Sequence, residues 1–332
     1  MGTQMTRTSR FKSSVFESLK GGMRLIGLWA FAIQVFLPLD AMADHKLVCS
    51  AGGGATARLV RKKVISSISA KFVDFPATAT IVYSNRSKDA EGHICGAVVL
   101  SRKWLVTAAH CLTGCPSESP EEISVRYGGD AYTSNGTGHE MASAITIERL
   151  VNHPDLQWVR FKDKGLSSDP DAEYAINDIA LVELAQEMDI SESSGVVAAT
   201  IAADQLVSDA IDSGEPDFAI AGFGATADGY SAPENRMKTA SMPLAKTEHC
   251  NDPQEYDGAV DQGSMLCVGS AEKRDLACRG DSGSGLFLGS DEKKTVLAGL
   301  VSWTLDCNRK SGFGVYTNVI QYRDWINNNI SQ

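Results

Sequence analysis

The stretch CRGDSGSG, Cys278 to Gly285, sets Ser282 behind an aspartate and between glycines. Glycines at 280, 283 and 285 let the backbone turn tightly and present its N–H groups, which suits an exposed nucleophile. The same letters contain Arg279-Gly280-Asp281, an adhesive tripeptide when it stands in a surface loop. Whether Ser282 is a nucleophile, a turn residue or part of that tripeptide depends on what the rest of the chain supplies.

Acyl transfer at neutral pH needs a hydroxyl nucleophile, an imidazole to take its proton, a carboxylate to orient the imidazole, and N–H donors for the developing oxyanion. The run LVTAAHC offers His110 where an apolar strand ends beside Cys111, and NDIALVEL offers Asp178 immediately before another apolar strand. Taken singly, these are a packed histidine, a turn aspartate and a loop serine. Together they stand in the order His, Asp, Ser, one of three orders known for this chemistry.

The chain has 332 residues, 43% hydrophobic and 22% charged, a globular composition long enough for one large or two smaller cores. Residues 1–63 carry 10 Lys or Arg against 3 Asp or Glu, and the remainder carries 21 against 38, a net of −17. A body this acidic is a poor partner for nucleic-acid backbone. Met23 to Ala43 combines a basic start, an apolar run of roughly fifteen residues and a closing Ala-Met-Ala, the layout of a cleaved secretory signal. Pro38 and Asp40 interrupt that run, which is shorter than the ~20 residues needed to span a membrane. The expectation is a signal over residues 1–43, with Met23 as an alternative start, and a secreted product, extracellular or periplasmic. Eight cysteines then remain, an even number that argues for disulfides in an exported chain, and their spacing does not suit zinc.

After residue 64, short β-branched and aromatic runs such as ATATIVYS, DIALVEL and VLAGLVSW alternate with Gly, Asn, Asp and Ser, and read as antiparallel strands. The polar stretches 112–175 and 225–262 read as long surface loops, residues 186–196 as a connector, and only NVIQYRDWINNNI as a helix.

CGAVVLSRKWLVTAAHC, Asp178 in NDIALVEL, GFG at Gly222 to Gly224, CRGDSGSG, VSW at Val301 to Trp303 and GVYTNV at Gly314 to Val319 together resemble the chymotrypsin-like (trypsin-like) serine endopeptidases, over about residues 64–329. The resemblance implies an all-β fold of two antiparallel six-stranded barrels, one over about 64–187 and one over about 188–318, with a C-terminal helix at about 319–329. These make up a protease domain, 64–332, behind a pro-segment, 44–63. It implies that Ser282 attacks the scissile carbonyl, His110 serves as base and then acid, Asp178 holds the imidazole, and the N–H groups of Gly280 and Ser282 form the oxyanion hole. Ser302 and Trp303 line the substrate strand. Disulfides Cys95 with Cys111, Cys250 with Cys267 and Cys278 with Cys307 are implied, leaving Cys49 and Cys115 as a pair that would tether the cleaved pro-segment.

The resemblance implies a zymogen whose new N-terminus lies twelve residues before a proline; counting back from Pro76 reaches Val64, so cleavage of Lys63-Val64 is the implied activation step, with the new ammonium pairing with Asp281. Ser66 and Ser67 replace the usual glycines of that terminus. An inward aspartate also argues against the adhesive reading. The resemblance implies that the residue six before the nucleophile, Leu276, is the floor of the specificity pocket; a one-residue insertion before Cys278 would put Asp275 there. Leucine favours uncharged, small to medium side chains, with Thr304 narrowing one wall and Gly314 leaving the other open, whereas aspartate favours Arg or Lys. The segment between His110 and Asp178 is longer than usual by roughly twenty residues, an insertion suited to shielding the cleft. Expected partners are a protein or peptide substrate, an activating protease and a protein inhibitor, with no nucleic acid, no membrane after signal removal, no cofactor and no metal. The alternative is a catalytically silent secreted binding protein on the same scaffold.

Overall fold

In the computed structural model the described residues are 68–113, 120–133, 136, 138–169, 171–214, 218–225, 233–271, 277–289, 293–305 and 312–331. Eight strands come first: β1 Thr78–Tyr83, β2 His93–Val99, β3 Trp104–Thr107, β4 Ile123–Tyr127, β5 Ile145–Asn152, β6 Gln157–Arg160, β7 Glu173–Ile176 and β8 Ala180–Leu184. Six of them close into an antiparallel barrel in the order β1-β2-β3-β8-β5-β4, while β6 and β7 form a separate hairpin. Alternate residues of these strands, among them Ile81, Ala97, Leu105, Val125 and Val182, fill the barrel.

The second half holds β9 Thr200–Ile201, α1 Asp204–Ser213, β10 Phe218–Gly222, β11 Lys238–Met242, β12 Leu244–Ala245, α2 Thr247–Cys250, β13 Met265–Ser270, β14 Gly285–Leu288, β15 Val296–Trp303, β16 Gly312–Asn318 and α3 Arg323–Ile330. Its sheet runs β11-β10-β14-β15-β16-β13-β12, with β9 added beside β15. The two ends of that path, β11 and β12, are one chain segment interrupted at Pro243, which has no N–H to donate. The Pro243 carbonyl still accepts from Gly269 N at 2.8 Å, so pairing with β13 continues across the break. The fold is therefore all-β with a C-terminal helix, as expected, its first half a closed six-stranded barrel and its second an eight-stranded half-barrel sheet in place of a second six-stranded barrel.

Both halves turn one face toward a shared layer that includes Val98, Val106, Leu181, Ala221, Phe223, Phe287 and Leu300. Burying so many aliphatic and aromatic side chains, at ~25 cal/mol per Å² of apolar surface, is what locks the halves together. Residues 185–199 cross between them without a strand, as a connector should.

Three expectations about local structure change. Strands β4 to β7 begin within what reads as a loop at 112–175, and β11 and β12 lie within 225–262. β4 is buried throughout yet reads ISVRY, its Ser124 and Arg126 hiding the apolar run, and β5 is half exposed, with only Ile147 buried. Helix α1 buries only Val207 and Ala210 before stopping at Gly214, φ 65°, too narrow a stripe to stand out. Among the described residues no helix is long and apolar enough to cross a membrane.

Candidate active site

His110 sits in a short 3-10 turn, Ala109–Cys111, directly after β3. Asp178 precedes β8, the strand paired with β3, so their loops emerge side by side. Asp178 Oδ2 lies 2.7 Å from His110 Nδ1, and Oδ1 accepts from the backbone N–H of His110 at 2.8 Å. The carboxylate is 2% exposed and the imidazole 26% exposed. Burial opposes charging the ring, but the charge and hydrogen bond of Asp178 hold its pKa above the ordinary histidine value. Burial likewise works against the Asp178 anion, and the His110 charge together with hydrogen bonds from His110 and Ser302 keeps its pKa below the ordinary range.

The second half completes the hold on Asp178. Ser302 Oγ on β15 donates to Oδ2 at 2.5 Å, and Thr317 Oγ1 on β16 donates to the Asp178 carbonyl at 2.7 Å. Asn177 takes φ 54°, and its Oδ1 accepts from Tyr322 OH at 2.8 Å. Sequence reading missed Thr317 and Tyr322 and the hold of Ser302 on Asp178, because these contacts span 124 to 145 residues.

Ser282 lies in a turn flanked by Gly280, φ 90°, and Gly283, φ 77°, conformations that side chains rarely adopt. Its carbonyl accepts from Gly96 N on β2 at 2.8 Å, while the Gly96 carbonyl accepts from Thr107 Oγ1 at the end of β3 at 2.8 Å. The Ser282 turn is thus tied to the two strands that carry the Cys95–Cys111 disulfide and lead into His110. Cys95, His110 and Cys111 cluster within 4.8 Å, a spacing a metal could use. Both sulfurs are already bonded to each other, which removes them as ligands.

Asp281 is 1% exposed. Its Oδ1 accepts from Gly224 N at 2.9 Å and its Oδ2 from Cys278 N at 3.0 Å. A Cβ at Gly224 would stand 2.4 Å from the carboxyl carbon and one at Gly222 2.5 Å from Oδ1, so the GFG run is a cradle for this group. Burial, only partly offset by those two N–H donors, pushes its pKa up to about 7. An aspartate so enclosed is not displayed to an adhesion receptor. Val64, its expected partner, and Lys63 lie outside the described residues.

Around Trp303, Phe161 and Tyr256 meet the ring edge-on at 5.5 and 5.0 Å between ring centres, and Tyr174 lies tilted at 4.6 Å. Phe161 follows β6 and Tyr174 is in β7, so the long segment before Asp178 packs against Trp303. Thr304 Oγ1 lies 3.2 Å from Tyr256 OH, and Gly314 pairs with Val268 inside the sheet. Asp275 and Leu276 lie outside the described residues. Cys250–Cys267 is formed. Cys278 is disulfide-bonded, while Cys49, Cys115 and Cys307 lie outside the described residues.

A β-barrel and a half-barrel sheet with a buried carboxylate, an imidazole and a glycine-bounded serine turn at their junction define the chymotrypsin-like scaffold. The Trypsin family model matches residues 64–326, and the chain belongs to that family of serine endopeptidases. It is 29% identical to Trypsin-1 of Astacus astacus over 71% of this chain and 88% of that protein. It is also 31% identical to Transmembrane protease serine 11E of Mus musculus, over 71% of this chain and 49% of that protein. For Transmembrane protease serine 11G of Mus musculus the identity is 29%, over 74% and 52%. The matched region thus spans about half the length of these two transmembrane relatives and most of the trypsin.

Proposed function

We propose that this chain is a secreted serine endopeptidase, made as a zymogen and switched on by cleavage of Lys63-Val64. Ser282 Oγ attacks the peptide carbonyl as His110 Nε2 takes its proton; His110 then protonates the leaving amine, and water, activated the same way, releases the acyl group. The observation that carries this reading is the His110–Asp178 pair. With Nδ1 committed to Asp178 at 2.7 Å, Nε2 is the nitrogen left to take the proton.

The oxyanion role of the Gly280 and Ser282 N–H groups is supported by what fixes the peptides around them. The Arg279 carbonyl accepts from Ala225 N at 2.9 Å and the Asp281 carbonyl from Ser284 N at 2.9 Å. In a trans peptide the N–H points opposite to its carbonyl, so both N–H groups face away from those donors. Fixed donors of this kind need no reorganisation when charge develops.

In this reading the freed Val64 ammonium pairs with Asp281 and stabilises the loop. We infer a preference for uncharged, small to medium side chains before the scissile bond, with Leu276 as the floor and Thr304 and Gly314 as walls; an Asp275 floor would give Arg or Lys instead. Substrates are restricted further by the wall that Phe161 and Tyr174 build against Trp303. Export through the Met23 to Ala43 signal and tethering through Cys49–Cys115 complete the proposal. A peptide-library digest with the cleaved chain tests it. Cleavage after small apolar residues, lost in Ser282→Ala, is the expected result. Cleavage after Arg or Lys would move the floor to Asp275, and no cleavage at all favours the silent binding scaffold.

A further inference from the structure

The oxyanion loop is supported from a third direction that the catalytic reading does not use. His93, at the start of β2, is 2% exposed, and Tyr132, in the loop after β4, is fully buried. His93 Nε2 lies 2.7 Å from the Gly280 carbonyl, and His93 Nδ1 lies 2.7 Å from the Tyr132 hydroxyl. A carbonyl only accepts, so Nε2 carries the proton. Burial, partly offset by the Gly280 hydrogen bond, lowers the His93 pKa to about 4, so near neutral pH the ring is uncharged and Nδ1 accepts from Tyr132. The tyrosine hydroxyl therefore selects the one tautomer that can hold Gly280.

The tyrosine is itself held from several sides. Its one hydroxyl proton has two acceptors within reach, His93 Nδ1 at 2.7 Å and Thr80 Oγ1 on β1 at 3.1 Å, and the nearer takes it. Arg126, 4% exposed, donates to the carbonyls of Tyr132 at 3.2 Å and Met141 at 2.8 Å, fastening both arms of the loop. The Tyr132 ring meets Phe223 edge-on at 5.1 Å. Phe223 is followed by Gly224, the donor to Asp281 Oδ1. One side chain thus abuts both supports of the oxyanion turn, the histidine that holds the Gly280 carbonyl and the phenylalanine that precedes the Gly224 donor to Asp281.

We propose that Tyr132 is a positioning residue for the oxyanion hole, acting through His93 to fix the Gly280–Asp281 peptide and hence the N–H groups on either side of it. The proposal rests on the assignment of those N–H groups given above. Because they meet full negative charge only in the transition state, a misplaced Gly280 lowers kcat and leaves substrate binding alone.

The test uses the full chain cleaved at Lys63-Val64, with Tyr132→Phe, His93→Gln and the double variant assayed on a fluorogenic peptide and with a matched peptide trifluoromethyl ketone. Loss of hydrolysis in Ser282→Ala establishes the nucleophile first, so a later failure belongs to Tyr132 alone. Tyr132→Phe keeps the ring against Phe223 and is expected to lower kcat about ten-fold, less than loss of an oxyanion donor outright, with KM within about two-fold. Affinity for the ketone, whose adduct places an oxyanion in the same hole, falls by the same factor. The double variant is no slower than His93→Gln alone. Thr80→Ala, which loosens the hydroxyl without touching His93, gives a smaller loss in kcat, about two-fold. Unchanged kcat in Tyr132→Phe and Thr80→Ala, a change carried by KM, or multiplying effects in the double variant would overturn the proposal.

Discussion

Asp178 and Asp281 are both almost fully buried, at 2% and 1% exposure, yet their pKa values move in opposite directions. Burial disfavours both anions. Asp178 is compensated by an imidazole and a serine hydroxyl and stays below the ordinary range. Asp281 has, among the described residues, two backbone N–H donors and rises to about 7. Desolvation is thus the same in kind at both sites, and the partner decides the outcome. One aspartate is complete within residues 110–317. The other is, on our reading, built to wait for a cation from a cleaved N-terminus.

The largest expected effect breaks the completed site. Asp178→Asn keeps the shape but cannot select the His110 tautomer, and turnover should drop on the order of 10,000-fold, measured by kcat after active-site titration. Next comes the waiting site. In the cleaved chain Asp281→Asn strands the inserted ammonium and should cost about 3–5 kcal/mol, read as lost activity and a lower urea midpoint. In the intact chain the same substitution removes a buried carboxyl with no cation, so at and above pH 7 stability should hold or rise. Opposite signs in the two forms would confirm that the partner comes from cleavage.

A pH series sharpens the comparison without mutation. The folded pKa of Asp281 is raised from 3.8 to about 7, so its contribution is fully present below 3.8 and lost as pH rises through 7. By linkage that loss is at most roughly 4 kcal/mol. The lowered Asp178 contributes above its ordinary value, and that contribution disappears only as pH falls through its folded value. The raised His110 adds a loss on the alkaline side, in the same direction as Asp281. Denaturation of the intact chain and of Asp281→Asn from pH 4 to 8 separates the two, and a neutral slope that survives the substitution would assign it to His110. The smallest effect is at Ser302. Ser302→Ala removes one of the Asp178 hydrogen bonds and should lower kcat/KM by about ten-fold or less, on the order of 1 kcal/mol.

The elements legible in the sequence are those whose signal is local. β1, β2, β3, β8 and β15 read as short, mostly apolar runs, and the turn carrying Ser282 declares itself through its glycines. β4 was hidden by an arginine that is buried because four carbonyls receive it, a fact invisible without the loop that supplies most of them. The site divides the same way. His110, Asp178 and Asp281 each sit in a diagnostic stretch, but what tunes them does not. Ser302 and Thr317 reach Asp178 across the junction between the halves, and His93 reaches Gly280 across 187 residues. Such contacts follow from how the two halves face each other, which no stretch of sequence states.

The most direct test of the account is the intact mass of the protein after exposure to a fluorophosphonate, comparing the uncleaved chain, the chain cleaved at Lys63-Val64, and cleaved Ser282→Ala. The account predicts one phosphonyl addition on Ser282 in the cleaved chain, little or none before cleavage, and none in the variant. Equal labelling before and after cleavage would contradict the waiting role of Asp281, and no labelling of folded, cleaved protein would contradict the nucleophile itself.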